Sequence, residues 1–284
     1  MTEPTSINSI VSDATTRLVD VSESARLDAE LLVARSINMP RSYLFAHPED
    51  KLDESAQQRL EHILERRLRG EPMAYITGFK EFWSLELVVS PATLVPRPET
   101  EILVSLALQA IPRQAEWQVL DLGTGCGAIA VVIASERRNC EITAVDSSVD
   151  AIAVARQNVR QLDLSNVTCL DGDWTDPVQN RQFKVILSNP PYVRADDAAL
   201  ESLRAEPRKA LVAGADGLDA IRILANDCVS IIADDGVLML EHGADQKNSV
   251  ADILTSCAWE QIQCHKDFAG NPRVTLARRS AGQP

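Results

Sequence analysis

The sequence predicts an α/β fold, a doubly wound and mainly parallel sheet preceded by a small N-terminal helical bundle. Strand-like and helix-like segments alternate from about residue 91 onward. A glycine-rich turn, Gly123-Thr124-Gly125-Cys126-Gly127, separates the first such strand from its helix, and an apolar run, Phe183 to Leu187, stops at Ser188-Asn189-Pro190-Pro191-Tyr192. Strand, helix, strand at these intervals means parallel pairing with crossover helices. Open sheets of this kind bind ligands at the carboxyl ends of their strands, where both the glycine turn and the proline stop fall.

Taken in order, residues 7 to about 70 carry helical periodicity. Ile10, Ala14, Leu18 and Val21 form one apolar face, Ala25 to Ala34 a second, and Leu60, Ile63, Leu64 and Leu68 a third. Ser22 or Ser24 suits the cap of the second helix, and Met39-Pro40 suits its end. Such a bundle is either a stabilising appendage or a partner-binding module. Phe79 to Val89 alternates like a hairpin. Pro98 fits a first helical turn, with Glu99 and Glu101 at the positive end of the dipole. Strands follow over 117–122, 141–145, 167–170 and 183–187, with helices over 128–135 and 149–162 between the first three. Beyond the prolines come a helix 218–232, a strand 237–241, a helix 247–257 and a final strand pair near 259–264 and 273–277. The expected division is 1–74 helical domain, 75–95 hairpin linker and 96–284 α/β domain.

A chain of 284 residues suits two domains, and 45% hydrophobic residues suffice for a sizeable core. Net charge is −13, which disfavours a polyphosphate partner. Arg66-Arg67-Leu68-Arg69 reads as the solvated end of a helix rather than a binding face. Six cysteines without C-x-x-C spacing read as reduced thiols, not staples or zinc ligands. With neither an apolar span nor a signal-peptide pattern, the expectation is a soluble cytoplasmic protein.

The glycine turn alone is ambiguous. Gly123, Gly125 and Ala128 satisfy the dinucleotide fingerprint, and Asp146 sits where an acid would hold a ribose hydroxyl. Gly127 adds a third glycine, the arrangement expected for S-adenosylmethionine, which has no pyrophosphate. Asp146 fits both ligands, or a helix cap. Asp171-Gly172-Asp173-Trp174 offers an acid for an adenine amino group and an indole to pack on the ring, although Trp174 could also be a core residue.

The Asn189 stretch is more specific. Two prolines forbid the strand from continuing and hold an amide, rigid carbonyls and an aromatic ring in fixed order. Asn189 Oδ1 and the Pro190 carbonyl can each accept one N–H of a planar NH₂ group, aiming its nitrogen at an electrophile, while Tyr192 stacks on the plane. The group could belong to a carboxamide or to adenine.

With these residues assembled, the chain resembles class I methyltransferases carrying the N/D-P-P-Y/F motif, and more closely the PrmC/HemK family, which methylates a glutamine of peptide chain release factors. The resemblance extends to Pro96-Arg97-Pro98-Glu99-Thr100-Glu101, Glu206-Pro207-Arg208, Glu241-His242-Gly243 and Asp267 to Arg273, and to the helical region joined by a hairpin. It implies S-adenosylmethionine as donor and N5 of the glutamine in the Gly-Gly-Gln loop as acceptor. By motif position it implies cofactor contacts from Gly123, Thr124, Gly125, Cys126, Gly127, Asp146, Trp174 and Asn189, and substrate contacts from Asn189, Pro190, Pro191 and Tyr192. The Arg97 segment would be either a lid over the cofactor or an ordinary helix start, and His242 is given no role. The rivals are a DNA adenine-N6 methyltransferase acting on a flipped base, a nicotinamide-dependent dehydrogenase, and a cofactor-sensing adaptor.

Overall fold

In the computed structural model, which describes residues 6–279, the chain divides into two units, one ending at Gly78 and the other beginning at Phe79. The first is helical: α1 (Ile7–Leu18), α2 (Ala25–Ser36), α3 (Arg41–Ala46), α4 (Glu54–Leu68) and α5 (Met73–Thr77). Their starts follow local chemistry. Ser6 caps α1 by accepting from the Ser9 amide, and Asp53 caps α4 by accepting from the Ala56 amide at 2.7 Å. Of the apolar positions read from the sequence, Ala14, Leu18, Leu32, Leu60 and Leu64 are buried in one core, whereas Val21 and Leu27 are exposed and Val11, in place of Ile10, supplies the fully buried residue of its turn. The six-residue α3 and five-residue α5 escaped sequence reading because neither is long enough to display a helical period.

Charges in this unit are matched internally. Arg67 donates to Asp28 at 2.8 Å, with both side chains largely buried, and Arg66 forms a two-pronged pair with Glu71. Glu30 takes both Arg26 and Arg41, at 2.7 Å each. The basic run at the end of α4 is therefore not simply a solvated helix end. Two of its arginines hold the unit together.

The second unit opens with a hairpin, β1 (Phe79–Phe82) and β2 (Leu85–Val88), whose two-residue turn puts Trp83 and Ser84 at φ of 53° and 60°. Positive φ at both central positions is the turn whose twist matches the strands. The range 75–95 expected as a linker thus spans the end of α5 and a hairpin that belongs to the second unit. Next come α6 (Thr100–Ala110), β3 (Gln118–Leu122), α7 (Ala128–Glu136), β4 (Glu141–Asp146), α8 (Val149–Gln161), β5 (Val167–Asp171) and β6 (Phe183–Ser188). Then follow α9 (Asp219–Ile231), β7 (Ile232–Glu241), α10 (Lys247–Ser256), β8 (Glu260–Lys266) and β9 (Pro272–Arg278). The expected alternation is present throughout.

The seven strands are ordered β5-β4-β3-β6-β7-β9-β8, parallel except for β9, which runs antiparallel to both of its neighbours. Strand order reverses between β3 and β6, which pair in parallel with Leu122 opposite Ser188. Their carboxyl ends carry the glycine turn and the Asn189 stretch. Helix α7 is apolar on every side, and Ala128 through Ala134 are all buried, as a helix without a polar face must be.

One buried amide ties the hairpin to this sheet system. Asn158 on α8 is 1% exposed; its Oδ1 accepts from the Val88 amide at 2.7 Å, and its Nδ2 donates to the Val88 carbonyl at 3.0 Å and to the Cys126 carbonyl at 2.8 Å. Replacing it strands three backbone groups in the interior, and an unsatisfied buried group costs about 1–3 kcal/mol. Asn158→Ala is expected to lower the unfolding free energy of the second unit by about 2–4 kcal/mol. Urea titration followed by tryptophan fluorescence measures this, and an unchanged midpoint would refute it.

Candidate active site

The glycine turn is built on the end of β3. The amides of Gly123 and Thr124 both donate to the Val145 carbonyl of β4, at 2.9 and 3.0 Å. The Gly125 amide donates to Asp146 Oδ2 at 2.9 Å. Gly123, Gly125 and Gly127 have φ of 71°, 57° and 86°, a region that a side chain disfavours. Gly127 also meets α8 closely, since a Cβ there would stand 3.2 Å from the Ala155 Cβ. Asp146 is a brace between two loops: Oδ1 accepts from the Ser148 amide at 2.9 Å while Oδ2 holds Gly125. The cap of α8 is Ser148, accepting from Ala151.

Below the turn, Asp121 is fully buried. Its Oδ2 accepts from the Thr124 hydroxyl at 2.6 Å and its Oδ1 has no hydrogen-bond partner. Burial pushes its carboxyl up to about 7. Trp174, after β5, has φ of 43°, packs partly on the sheet core, and lays its ring 3.5 Å from where a Gly123 Cβ would stand. A tryptophan held in the left-handed region stores strain of the kind found at ligand sites.

The Asn189 stretch is held by tertiary contacts. Asn189 Nδ2 donates to the Thr100 hydroxyl at 3.0 Å. Gln246 Nε2 donates to the Tyr192 carbonyl at 3.0 Å, and the next residues pair with 211–214, Val193 donating to the Leu211 carbonyl at 2.8 Å. The Tyr192 hydroxyl donates to Glu241 Oε1 at 3.4 Å. Glu241, at the end of β7, is fully buried, and its Oε2 has no hydrogen-bond partner. Burial pushes its carboxyl up to about 7, opposed by the Thr100 hydroxyl, the Arg273 charge and the Tyr192 hydroxyl. Burial and the Glu241 charge push Tyr192 up to about 12.

Between the two loops lies a cavity of about 410 Å³, within the range of small-molecule sites. Gly123, Thr124, Gly125, Cys126, Asp146, Trp174, Asn189 and Pro191 line it. Gly127, Pro190 and Tyr192 are not part of its wall; Gly127 sits behind it against α8, and Tyr192 points its hydroxyl at Glu241. Arg97 and Thr100 also line the cavity. Arg97 pairs with Glu206, which accepts from the Val95 amide at 3.0 Å as well, so the segment before α6 is fastened to the loop beyond β6. His242 is spent on structure, with Nε2 on the Thr275 hydroxyl at 2.8 Å and Nδ1 on the Gly243 carbonyl at 2.9 Å.

Residues 9–78 match the PrmC N-terminal domain, and residues 99–218 match the methyltransferase small domain. A release factor glutamine methyltransferase of Coxiella burnetii is 42% identical over 96% of this chain and 99% of its own. That of Escherichia coli is 42% identical over 92% and 94%. This chain belongs to the release factor glutamine methyltransferase family. Solved structures share its fold: a methyltransferase from Pyrococcus furiosus, 19% identical, with a TM-score of 0.54, spans 78% of this chain and 99% of its own. A 16S rRNA N2 methyltransferase of T. thermophilus, solved with AdoMet and guanosine, is 17% identical with a TM-score of 0.52, over 71% of this chain and 49% of its own. Membership in the methyltransferase family removes the dehydrogenase and the adaptor from the alternatives. Among the described residues no helix is long and apolar enough to cross a membrane, and all six cysteines are unpaired thiols.

Sequence reading gave no role to Thr100, Glu241 or Asp121. A threonine in a first helical turn and acids at strand ends look ordinary; only the fold brings Thr100 to Asn189 in the cavity wall, Asp121 to Thr124 and Glu241 to Tyr192. Asp121 and Glu241 share a pH signature. Each titrates near 7 when folded against about 4 when unfolded, so the folded chain keeps these protons longer. The associated stability is present below about pH 4 and is lost as pH rises through 7. Glu241→Gln removes one such loss. Its stability relative to the native chain is expected to improve by on the order of 1–3 kcal/mol between pH 5 and pH 8. Parallel melting curves at the two pH values check this, and a gap independent of pH contradicts it.

Proposed function

We propose that this chain transfers the methyl group of S-adenosylmethionine to the side-chain amide nitrogen, N5, of the glutamine in the Gly-Gly-Gln loop of peptide chain release factors. The kinship with release factor glutamine methyltransferases over nearly the whole chain supports the substrate class. The observation that carries the chemistry is the Asn189 amide: its Nδ2 is engaged by Thr100, which leaves Oδ1 as the end to offer a substrate.

The cavity suits the cofactor. Asp146, braced at the carboxyl end of β4 and lining the cavity, would hold the ribose hydroxyls, Gly123 and Gly125 would allow close backbone approach, and Asp173 and Trp174 would meet the adenine. Thr124, Cys126 and Asn189 complete the wall. S-adenosylmethionine supplies an electrophilic methyl on a sulfonium.

The chain's own task is the acceptor. An amide nitrogen is a poor nucleophile because its lone pair is delocalised into the carbonyl. Asn189 Oδ1 and the Pro190 carbonyl each accept one N–H, fixing the nitrogen with its developing lone pair toward the methyl. Pro190 and Pro191 keep that carbonyl rigid, and the Tyr192 ring covers the plane of the amide. The proton becomes acidic only as the nitrogen acquires positive charge, so no base need be ionised beforehand. The first unit, which matches the PrmC N-terminal domain, serves to bind the protein substrate in a reducing, cytoplasmic setting.

Asn189→Ala is expected to lower turnover by at least about 100-fold while cofactor affinity, measured by calorimetry, stays within a few-fold. Full activity in that variant would remove Asn189 from the mechanism. Incubation with labelled S-adenosylmethionine and a release factor, its Gln→Ala variant, or duplex DNA tests the substrate. Label that enters the factor and vanishes with the glutamine is expected; label in DNA, or none anywhere, overturns the reading.

A further inference from the structure

The Asn189–Tyr192 stretch needs a fixed exit as well as a fixed start. Its start is held by Thr100, which accepts from Asn189 Nδ2 at 3.0 Å. The rings of Pro190 and Pro191 lock their φ angles, but rotation about the remaining backbone bonds still swings the Pro190 carbonyl unless the far end is pinned. A misplacement of about 1 Å is enough to slow a reaction on the order of 100-fold.

The far end meets Gln246, which is 5% exposed and donates from Nε2 to the Tyr192 carbonyl at 3.0 Å, across 54 residues of sequence. Its Oε1 accepts from the Gly243 amide at 2.8 Å, and Nε2 also faces the Gly217 and Asp216 carbonyls at 3.3 and 3.4 Å. These neighbours are all backbone groups, which cannot exchange donor for acceptor, so the side-chain amide has one permitted orientation. Gln246 also occupies the N-cap position of α10, yet its side chain makes no capping hydrogen bond there. A cap selected for helix stability would be Ser, Thr, Asp or Asn. The side chain serves the loop beyond β6 instead of its own helix.

Gly217 shapes the other side of the same seat. Its φ is 75°, and a Cβ there would overlap the Tyr192 carbonyl oxygen and stand 2.9 Å from Gln246 Nε2. Only a hydrogen fits.

We infer that Gln246 is a positioning residue: by holding the Tyr192 carbonyl in the seat that Gly217 leaves open, it fixes the exit of the Asn189–Tyr192 stretch and with it the direction of the Pro190 carbonyl toward the acceptor nitrogen. Neither Gln246 nor Gly217 borders the cavity; both act through the backbone of Tyr192. Two pins with two locked prolines between them leave the acceptor-binding carbonyl little freedom.

The inference rests on the methyl-transfer reading above, and the test separates the two. Gln246→Met keeps the length of the side chain and loses its donor. It is expected to lower kcat tenfold or more, with cofactor Kd, measured by calorimetry, and release factor KM within threefold of the native chain. Gly217→Ala, which drives a methyl group against the same carbonyl, is expected to show the same split. The double variant should be no more than threefold slower than the slower single variant, because both changes unseat one carbonyl. A native kcat in either single variant, losses that multiply in the double variant, or a cofactor Kd raised beyond threefold in Gln246→Met would each overturn the role, the last because it marks a general loss of structure. Failure of the native chain itself to label the factor would instead sink the methyl-transfer reading.

Discussion

The parallel pairing of β3 with β6 is the contact on which the site depends. At the last rung Leu122 faces Ser188, and the Ser188 hydroxyl donates to the Leu122 carbonyl at 2.7 Å in a fully buried setting. Beyond that rung the chain leaves the sheet twice, through glycines on one side and prolines on the other. Because strand order reverses here, the crossover helices leave in opposite directions and a crevice opens between the loops. Sixty-six residues of sequence separate Leu122 from Ser188; one ladder rung brings them together.

The loops around that crevice are stiffened by polar groups that a stability argument alone would not select. Asp146 braces Gly125 and Ser148, Gln246 grips the Tyr192 carbonyl, and Glu206 joins the Val95 amide to Arg97. Asp121 and Glu241 go further, each leaving one buried oxygen unpartnered. Such groups cost folding free energy of about 1–3 kcal/mol each. These two acids, one bonded to Thr124 of the glycine turn and the other to Tyr192, together with a strained Trp174, mark where geometry rather than stability has been served. The helical unit spends its charges differently: Arg66, Arg67 and Glu30 are matched in pairs, which holds its small core together.

Much of this was readable in the sequence, for reasons specific to each element. Strands β3 and β6 are apolar runs that end at a glycine and at a proline stop, β4 is an apolar run ending at Asp146, and α8 has a strong helical stripe, so length and period identify them. Helix α7 is apolar all round and is recognised by its place after the glycine turn. The short α3 and α5 have no period to read. Strand β7 begins at Ile232, five residues earlier than the apolar run suggests, because Ala233 to Gly236 pass through an irregular register beside β6. Cavity residues near the two motifs, Gly123 to Cys126, Asp146, Trp174 and Asn189, were equally accessible to inspection.

What the sequence determined by itself were the features whose chemistry is local: a glycine turn after a strand, an amide locked before two prolines, and an acidic balance of charge; Ser24, read as a cap for α2, stands at its N-cap position but makes no capping hydrogen bond. What only the tertiary structure decided were the partners of those groups. Nothing near Asn189 in the chain indicates that its Nδ2 meets Thr100, 89 residues away, or that the Tyr192 hydroxyl meets Glu241, 49 residues on. The same holds for Asn158 reaching back 70 residues to β2. Hydrogen-bond direction is a property of neighbours in space, and neighbours at such separations are set by strand order, which no short window of sequence encodes.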